Sequence, residues 1–130
     1  MTCPKCYASM KPVTVGEHTV DRCTGCSGLW FDLREHEHIA ESQAAVEVLD
    51  VGDPAEGARQ NAKRDVACPH CTVKMLKLSV PKQLHIQYES CPVCHGAFFD
   101  AGEFKDYASH TLAEQVANFF GGFRRRVAKP

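Results

Sequence analysis

The 130-residue chain has no stretch that approaches the ~18 consecutive apolar residues a membrane span requires. Its opening, Met1-Thr2-Cys3-Pro4-Lys5-Cys6, has no basic n-region, no apolar h-region and no small-residue cleavage site. The expectation is a reduced, soluble, cytoplasmic protein. Catalytic signatures are also lacking: there is no Ser-His-Asp order, no phosphate-cradling glycine loop and no carboxylate pair at a spacing that names a family. An enzyme is not expected. Nor does either charge dominate, since 15 Lys and Arg face 16 Asp and Glu. Residues 1 to 49 hold four Lys or Arg against seven Asp or Glu, and the clearly basic stretch is the end, Arg124, Arg125, Arg126 and Lys129. Nucleic-acid binding domains usually carry a basic face, so the balance argues against a nucleic-acid partner.

Unpaired cysteine is missing too. The eight cysteines fall into four pairs with two residues between members: Cys3 and Cys6, Cys23 and Cys26, Cys68 and Cys71, Cys91 and Cys94. A tight turn of this length can aim both sulfurs at one tetrahedral ion, and structural zinc prefers four such ligands. Cys6 and Cys23 are separated by 16 residues and Cys71 and Cys91 by 19, both inside the window of roughly 15 to 20 that reads as a zinc site. Two zinc ions per chain are expected. Eight thiolates and two dications would add −8 + 4 = −4 to the formal −1, giving about −5 in the metal-bound form.

The alternatives for these cysteines are disulfides, which a reducing compartment disfavours, and iron on the same ligands. Cys91-Pro92-Val93-Cys94-His95 also spells a c-type haem attachment pattern, but Ser27 stands where a first-unit counterpart of His95 would be. His70 and His95 are candidate substitute ligands, although exposed histidines are the simpler reading. His36 and His38, two apart on a helix, do not face each other and make a poor metal pair.

The chain repeats itself. At an offset of 68, Cys23, Cys26, Gly28, Trp30, Phe31, Asp32 and Glu35 match Cys91, Cys94, Gly96, Phe98, Phe99, Asp100 and Glu103; at 65, Cys3-Pro4-Lys5-Cys6 matches Cys68-Pro69-His70-Cys71. The three extra residues of the second unit fall in its hairpin, whose strands carry alternating Leu76, Leu78, Val80 and Leu84, Ile86, Tyr88 around Pro81-Lys82-Gln83. In the first unit Val13 and Val15 lead to a turn at Gly16-Glu17 and a return strand from Val20 to Arg22. Pro4, Pro69 and Pro92 fix φ after the first cysteine of their pairs, and Gly28 and Gly96 are expected to supply an unusual backbone angle past the last ligand, so that backbone N–H groups point at the thiolates.

Asp32 to Glu35 and Asp100 to Glu103 read as capping boxes, which predicts helices starting at Leu33 and Ala101. The second helix carries an apolar stripe of Phe104, Tyr107, Ala108, Leu112, Val116, Phe119 and Phe120, and stops at Gly121-Gly122. Asp53-Pro54-Ala55-Glu56 resembles a helix start, with a short helix to about Lys63. The fold expected is a small metal-bound α+β chain of two tandem zinc ribbons, each a hairpin with two knuckles followed by a helix. Its parts are 1–49 for the first ribbon, 50–67 for a polar linker, 68–120 for the second ribbon and its helix, and 121–130 for a basic tail. Each unit, at about 45 residues, is too small to bury a self-sufficient core without a staple.

The strings Cys23-Thr24-Gly25-Cys26-Ser27-Gly28-Leu29-Trp30-Phe31-Asp32 and Cys91-Pro92-Val93-Cys94-His95-Gly96-Ala97-Phe98-Phe99-Asp100, together with Glu35 and Glu103, resemble a known pattern. It is that of the small zinc-finger family related to the zinc ribbon of transcription initiation factor IIB, with the signature Cys-Pro-x-Cys, a hairpin, then Cys-x-x-Cys-x-Gly-x-Trp-x-Asp-x-Gly-Glu. The resemblance covers about residues 3 to 38 and 68 to 107. It implies zinc ligation by all eight cysteines and a link to transcription. Thr24, Arg34 and Phe98 depart from the signature without removing a ligand. The function expected is a non-catalytic adaptor that binds another protein, or itself, through the C-terminal helix and Phe119, Phe120 and Phe123. The alternatives are a nucleic-acid binder using Arg124 to Arg126 and a thiol and zinc redox sensor.

Overall fold

Alternating apolar residues and tight turns build two antiparallel hairpins in the computed structural model, which describes residues 1–81 and 83–110. The first pairs β1 (Met10–Val15) with β2 (His18–Cys23), Val15 opposite His18, around Gly16-Glu17. Gly16 takes φ +60°, the left-handed angle that a two-residue hairpin turn of this handedness requires at its first position. β3 (Leu29–Phe31) follows the second knuckle. Then come α1 (Glu35–Ile39), α2 (Gln43–Leu49) and α3 (Pro54–Asn61). The second hairpin pairs β4 (Leu76–Val80) with β5 (Gln83–Ser90), and β6 (Ala97–Phe99) precedes a helix, α4, over 103–110. The stripe positions Leu112, Val116, Phe119 and Phe120, together with Phe123 and Arg124 to Arg126, lie outside the described residues. Among the described residues no helix is long and apolar enough to cross a membrane.

All six strands form one sheet in the order β1-β2-β3-β6-β5-β4. The two repeats therefore meet in the middle, along β3 and β6. Trp30 lies opposite its own repeat counterpart Phe98, with Leu29 opposite Phe99 and Phe31 opposite Ala97. That register is what a two-fold axis through the seam produces. The strand period of two then sends Leu29, Phe31, Ala97 and Phe99 to one face and Trp30 and Phe98 to the other. The first set packs with Val20, Ile39, Val46, Leu49 and Phe104 under the helices, while the second packs with Met10, Val66, Met75 and the cysteines. Both seam strands are buried throughout.

Helix starts differ from those expected. α1 begins at Glu35, two residues later than Leu33, behind Arg34 in a left-handed conformation, and no side chain caps it. Asp32 is not the cap, because its Oδ1 accepts from the Trp30 indole at 3.3 Å; Glu35 still reaches back to the Asp32 N–H at 3.1 Å, half of a capping box. α4 begins at 103 and not at Ala101. Asp100 is not its cap either. Asp50 does that work from the first half of the chain, accepting from Gly102 N–H at 2.9 Å and Lys105 N–H at 3.0 Å. Ser42 caps α2 through Ala45 N–H at 3.2 Å. α3 matches the sequence reading, with Asp53 accepting from Ala55 N–H at 2.9 Å and Pro54 at its first position. It lies tightly on the second half, where a Cβ at Gly57 would come 1.9 Å from the Ala101 carbonyl oxygen.

Candidate metal centres

Four knuckles of one design place the eight sulfurs. In each, the amide two residues after the first cysteine and that of the second cysteine donate to the first cysteine's sulfur: Lys5 and Cys6 to Cys3, Gly25 and Cys26 to Cys23, His70 and Cys71 to Cys68, Val93 and Cys94 to Cys91, at 3.3 to 3.5 Å. These donors spread thiolate charge, as expected from the sequence. The residue after each second cysteine, Tyr7, Ser27, Thr72 and His95, turns the chain with φ between +61° and +65°. Its N–H donates to the first cysteine's carbonyl, closing the loop.

The unusual backbone angle thus belongs to these four residues and not to Gly28 and Gly96, neither of which has a positive φ. Those glycines serve the seam. A Cβ at Gly28 would sit 2.3 Å from the Phe98 ring, and one at Gly96 would sit 2.2 Å from the Trp30 ring. Each is small because the partner unit's aromatic ring covers it.

The sulfurs of Cys3, Cys6, Cys23 and Cys26 form one group and those of Cys68, Cys71, Cys91 and Cys94 another, each with all sulfurs within 4.8 Å of one another. None of the eight is in a disulfide. A tetrahedron of Zn–S bonds of about 2.3 Å has edges of about 3.8 Å. Cys3 and Cys26 lie 3.8 Å apart and Cys68 and Cys94 3.7 Å, with Cys6 and Cys23 closer at 3.3 Å. Soft donors, four-fold coordination and edge length all fit zinc.

Electrostatics point the same way. The contact between the Cys3 and Cys26 sulfurs pulls Cys3 down to about 5 and pushes Cys26 up, while burial pushes Cys23 and Cys68 up. Four thiolates this close need a dication among them. His70 and His95 belong to neither sulfur group and both are exposed. Cys91 and Cys94 share their group with Cys68 and Cys71, so the haem-attachment pattern is spent on a four-sulfur site. His36 is buried among Phe31, Tyr88, Phe99 and Tyr107, with ring centroids 5.6 to 6.2 Å away, and burial lowers its pKa.

Sequence reasoning missed the charge cluster between the repeats. Lys5, inside the first knuckle, is buried and donates to Asp100 at 2.6 Å and pairs with Glu89 at 3.0 Å, both from the second unit, with the Phe98 ring centroid 5.7 Å away. At the counterpart position His70 is exposed and lies 5.5 Å from Trp30. The signal was present in the sequence as a divergence: Lys5 with Phe98 in one place, His70 with Trp30 in the other. A phenylalanine has no N–H to occupy Asp100, which leaves that carboxylate for the lysine.

The basic tail is also not the only concentration of positive charge. Over 57–88 the sequence holds Arg59, Lys63, Arg64, Lys74, Lys77 and Lys82 against Asp65 alone. Four of these, Lys63, Arg64, Lys74 and Lys77, line one cavity of about 220 Å³ with Val66 and Met75, where Asp65 pairs with Lys74 at 2.6 Å and Glu89 with Lys77 at 3.4 Å.

Comparison with curated proteins and with solved structures found no match. A family comparison did: residues 2–42 match the transcription factor zinc-finger family, a zinc ribbon of the TFIIB type, and the second four-cysteine group at 68–94 fits a second ribbon of that kind.

Proposed function

We propose that this chain is a non-catalytic adaptor in which two structural zinc ions, one on Cys3, Cys6, Cys23 and Cys26 and one on Cys68, Cys71, Cys91 and Cys94, hold a continuous sheet that displays a protein-binding surface. The observation that carries this reading is the closed donor set. A catalytic zinc keeps a position open for water or substrate, and four sulfurs leave none. The surface is supplied in part by the second hairpin, where Leu76, Leu78 and Leu84 are exposed. Leu33 and Leu78 also line an open groove of about 410 Å³ with His36, Tyr88 and His95. Apolar surface of this kind marks interaction sites. In this reading Phe119, Phe120 and Phe123 extend the binding element, and the cytoplasm keeps the thiols reduced.

The test begins with metal analysis of the purified protein, where two zinc ions per chain are expected; none, or iron in their place, overturns the zinc reading. Co-purifying proteins are then compared between the full chain, a deletion of residues 119–130 and the pair Leu33→Glu with Leu78→Glu. Loss of the same partner at unchanged zinc content supports an adaptor. Unchanged capture by both variants removes the docking surface.

The cavity lined by Lys63, Arg64, Lys74 and Lys77, four cations against the two carboxylates Asp65 and Glu89, favours a second reading, in which the chain binds the nucleic-acid backbone. Affinity for single- or double-stranded DNA or RNA would then fall steeply with salt, and Arg64→Ala with Lys74→Ala would flatten that slope. Salt-independent or absent binding eliminates it.

A further inference from the structure

We infer that the two zinc sites are kinetically unequal: the site of Cys68, Cys71, Cys91 and Cys94 gives up its ion first, while that of Cys3, Cys6, Cys23 and Cys26 retains its own. The inference rests on the zinc reading above. It comes from comparing two sites that share one knuckle design and differ in what surrounds them.

To take zinc from four thiolates, a proton or an oxidant has to reach a sulfur, or a competing ligand has to reach the ion between them. In the first site three of the four cysteines are buried and Cys6 alone is partly exposed. In the second, Cys71 and Cys94 are both partly exposed, one from each knuckle, so either end of the site can be attacked. The first knuckles differ in the same sense: Pro4 and Lys5 are buried, whereas Pro69 is half-buried and His70 exposed. The second knuckles do not differ, since Thr24 and Gly25 are exposed like Pro92 and Val93.

The first knuckle is also clamped. Lys5 holds Asp100 and Glu89 through its ammonium and accepts from Lys63 Nζ at 2.5 Å through its carbonyl, in addition to the N–H donation to Cys3 Sγ at 3.4 Å that His70 also makes to Cys68 Sγ. Swinging that knuckle off its metal breaks a buried ion pair, which is costly because Asp100 would be left without its cation, while Glu89 keeps Lys77 at 3.4 Å. His70, in the equivalent place, has a ring contact with Trp30 and no ion pair among the described residues. Contacts of this kind behind a ligand are worth roughly 10- to 100-fold in metal affinity where they have been removed. The second unit's own carboxylates therefore protect the first unit's zinc, and the second site is left to respond to chelators or oxidants.

The experiment uses the full chain, first shown to hold two zinc ions; failure at that step overturns the zinc reading and not the ranking of sites. Release to excess 4-(2-pyridylazo)resorcinol is followed by absorbance. Thiols freed during the first phase are trapped with N-ethylmaleimide, whose alkene carbon is attacked by the thiolate with water supplying the proton, and are located by peptide mapping. The expected result is two phases of one zinc each, separated by about tenfold or more, with Cys71 and Cys94 labelled in the first. A single phase, or first labelling at Cys6 or Cys23, overturns the inference. Lys5→Met, or Asp100→Asn if the first variant does not fold, should bring the slow phase toward the fast one at unchanged zinc content. An unchanged slow phase in a folded variant overturns the clamp.

Discussion

At the residue scale, the most consequential side chain is one that the sequence presents as an ordinary knuckle lysine. Lys5 is buried with two carboxylates, and burial holds Asp100 up at about 6 against the pull of Lys5. Because that folded value lies above the ordinary 3.8, folding takes up a proton and the contribution of Asp100 to stability falls as pH rises between about 4 and 6. Lys5→Met removes the compensating cation and raises the carboxyl further. The expected cost is about 3 to 5 kcal/mol at pH 8, shrinking toward pH 6 as Asp100 takes up its proton. Chemical denaturation at the two pH values, with zinc content checked at each, measures it; an equal penalty at both contradicts the assignment. Gly28 and Gly96 give a second residue-scale outcome. Adding a methyl drives it into a buried ring of the partner unit, and overpacking of this kind costs about 1 to 3 kcal/mol. Gly28→Ala and Gly96→Ala should each lower thermal stability with two zinc ions still bound, whereas zinc loss would return these glycines to the ligand loop.

At the scale of elements, the first hairpin follows from alternation and turn chemistry and α3 from Asp53-Pro54, since both signals are local, whereas the second hairpin forms where alternation places it but shifts register between Ser79 and Val80. The start of α4 does not. Its orphan amides are satisfied by Asp50, 52 residues before Gly102, so no window around the helix contains its cap. Asp50→Ala should therefore cost about 1 to 2 kcal/mol, because two buried acceptor contacts are lost. Asp32→Ala should cost less, as the carboxylate is exposed and accepts an indole N–H instead of capping α1. Denaturation midpoints of the two variants decide this; equal losses, or a larger one at Asp32, would restore the local capping box.

At the scale of the whole molecule, the seam between β3 and β6 makes one sheet of two ribbons. Unfolding should be a single cooperative transition for zinc-loaded chain. Because Trp30 faces its counterpart Phe98 across a two-fold register, a fragment of residues 1–49 has a surface that fits a second copy of itself, Trp30 against Trp30 with Gly28 under each ring. Light scattering on the zinc-loaded fragment is expected to give a dimer, and Trp30→Glu a monomer. A monomeric fragment with its own sharp transition would mean that the units are independent.

The eight cysteines, their grouping by fours, both hairpins and the α3 start were legible in the sequence, because ligand spacing, strand alternation and helix capping act over a few residues or within one repeat. The pairing of Lys5 with Asp100, the capping of α4 by Asp50, the role of Gly28 and Gly96 and the gathering of four cations around one cavity were decided by tertiary structure. In each, the partners lie in different units or on separate elements. The pairing of Lys5 with Asp100 and the packing of Gly28 and Gly96 join the two units across the seam strands, whose aromatic rings are buried against each other.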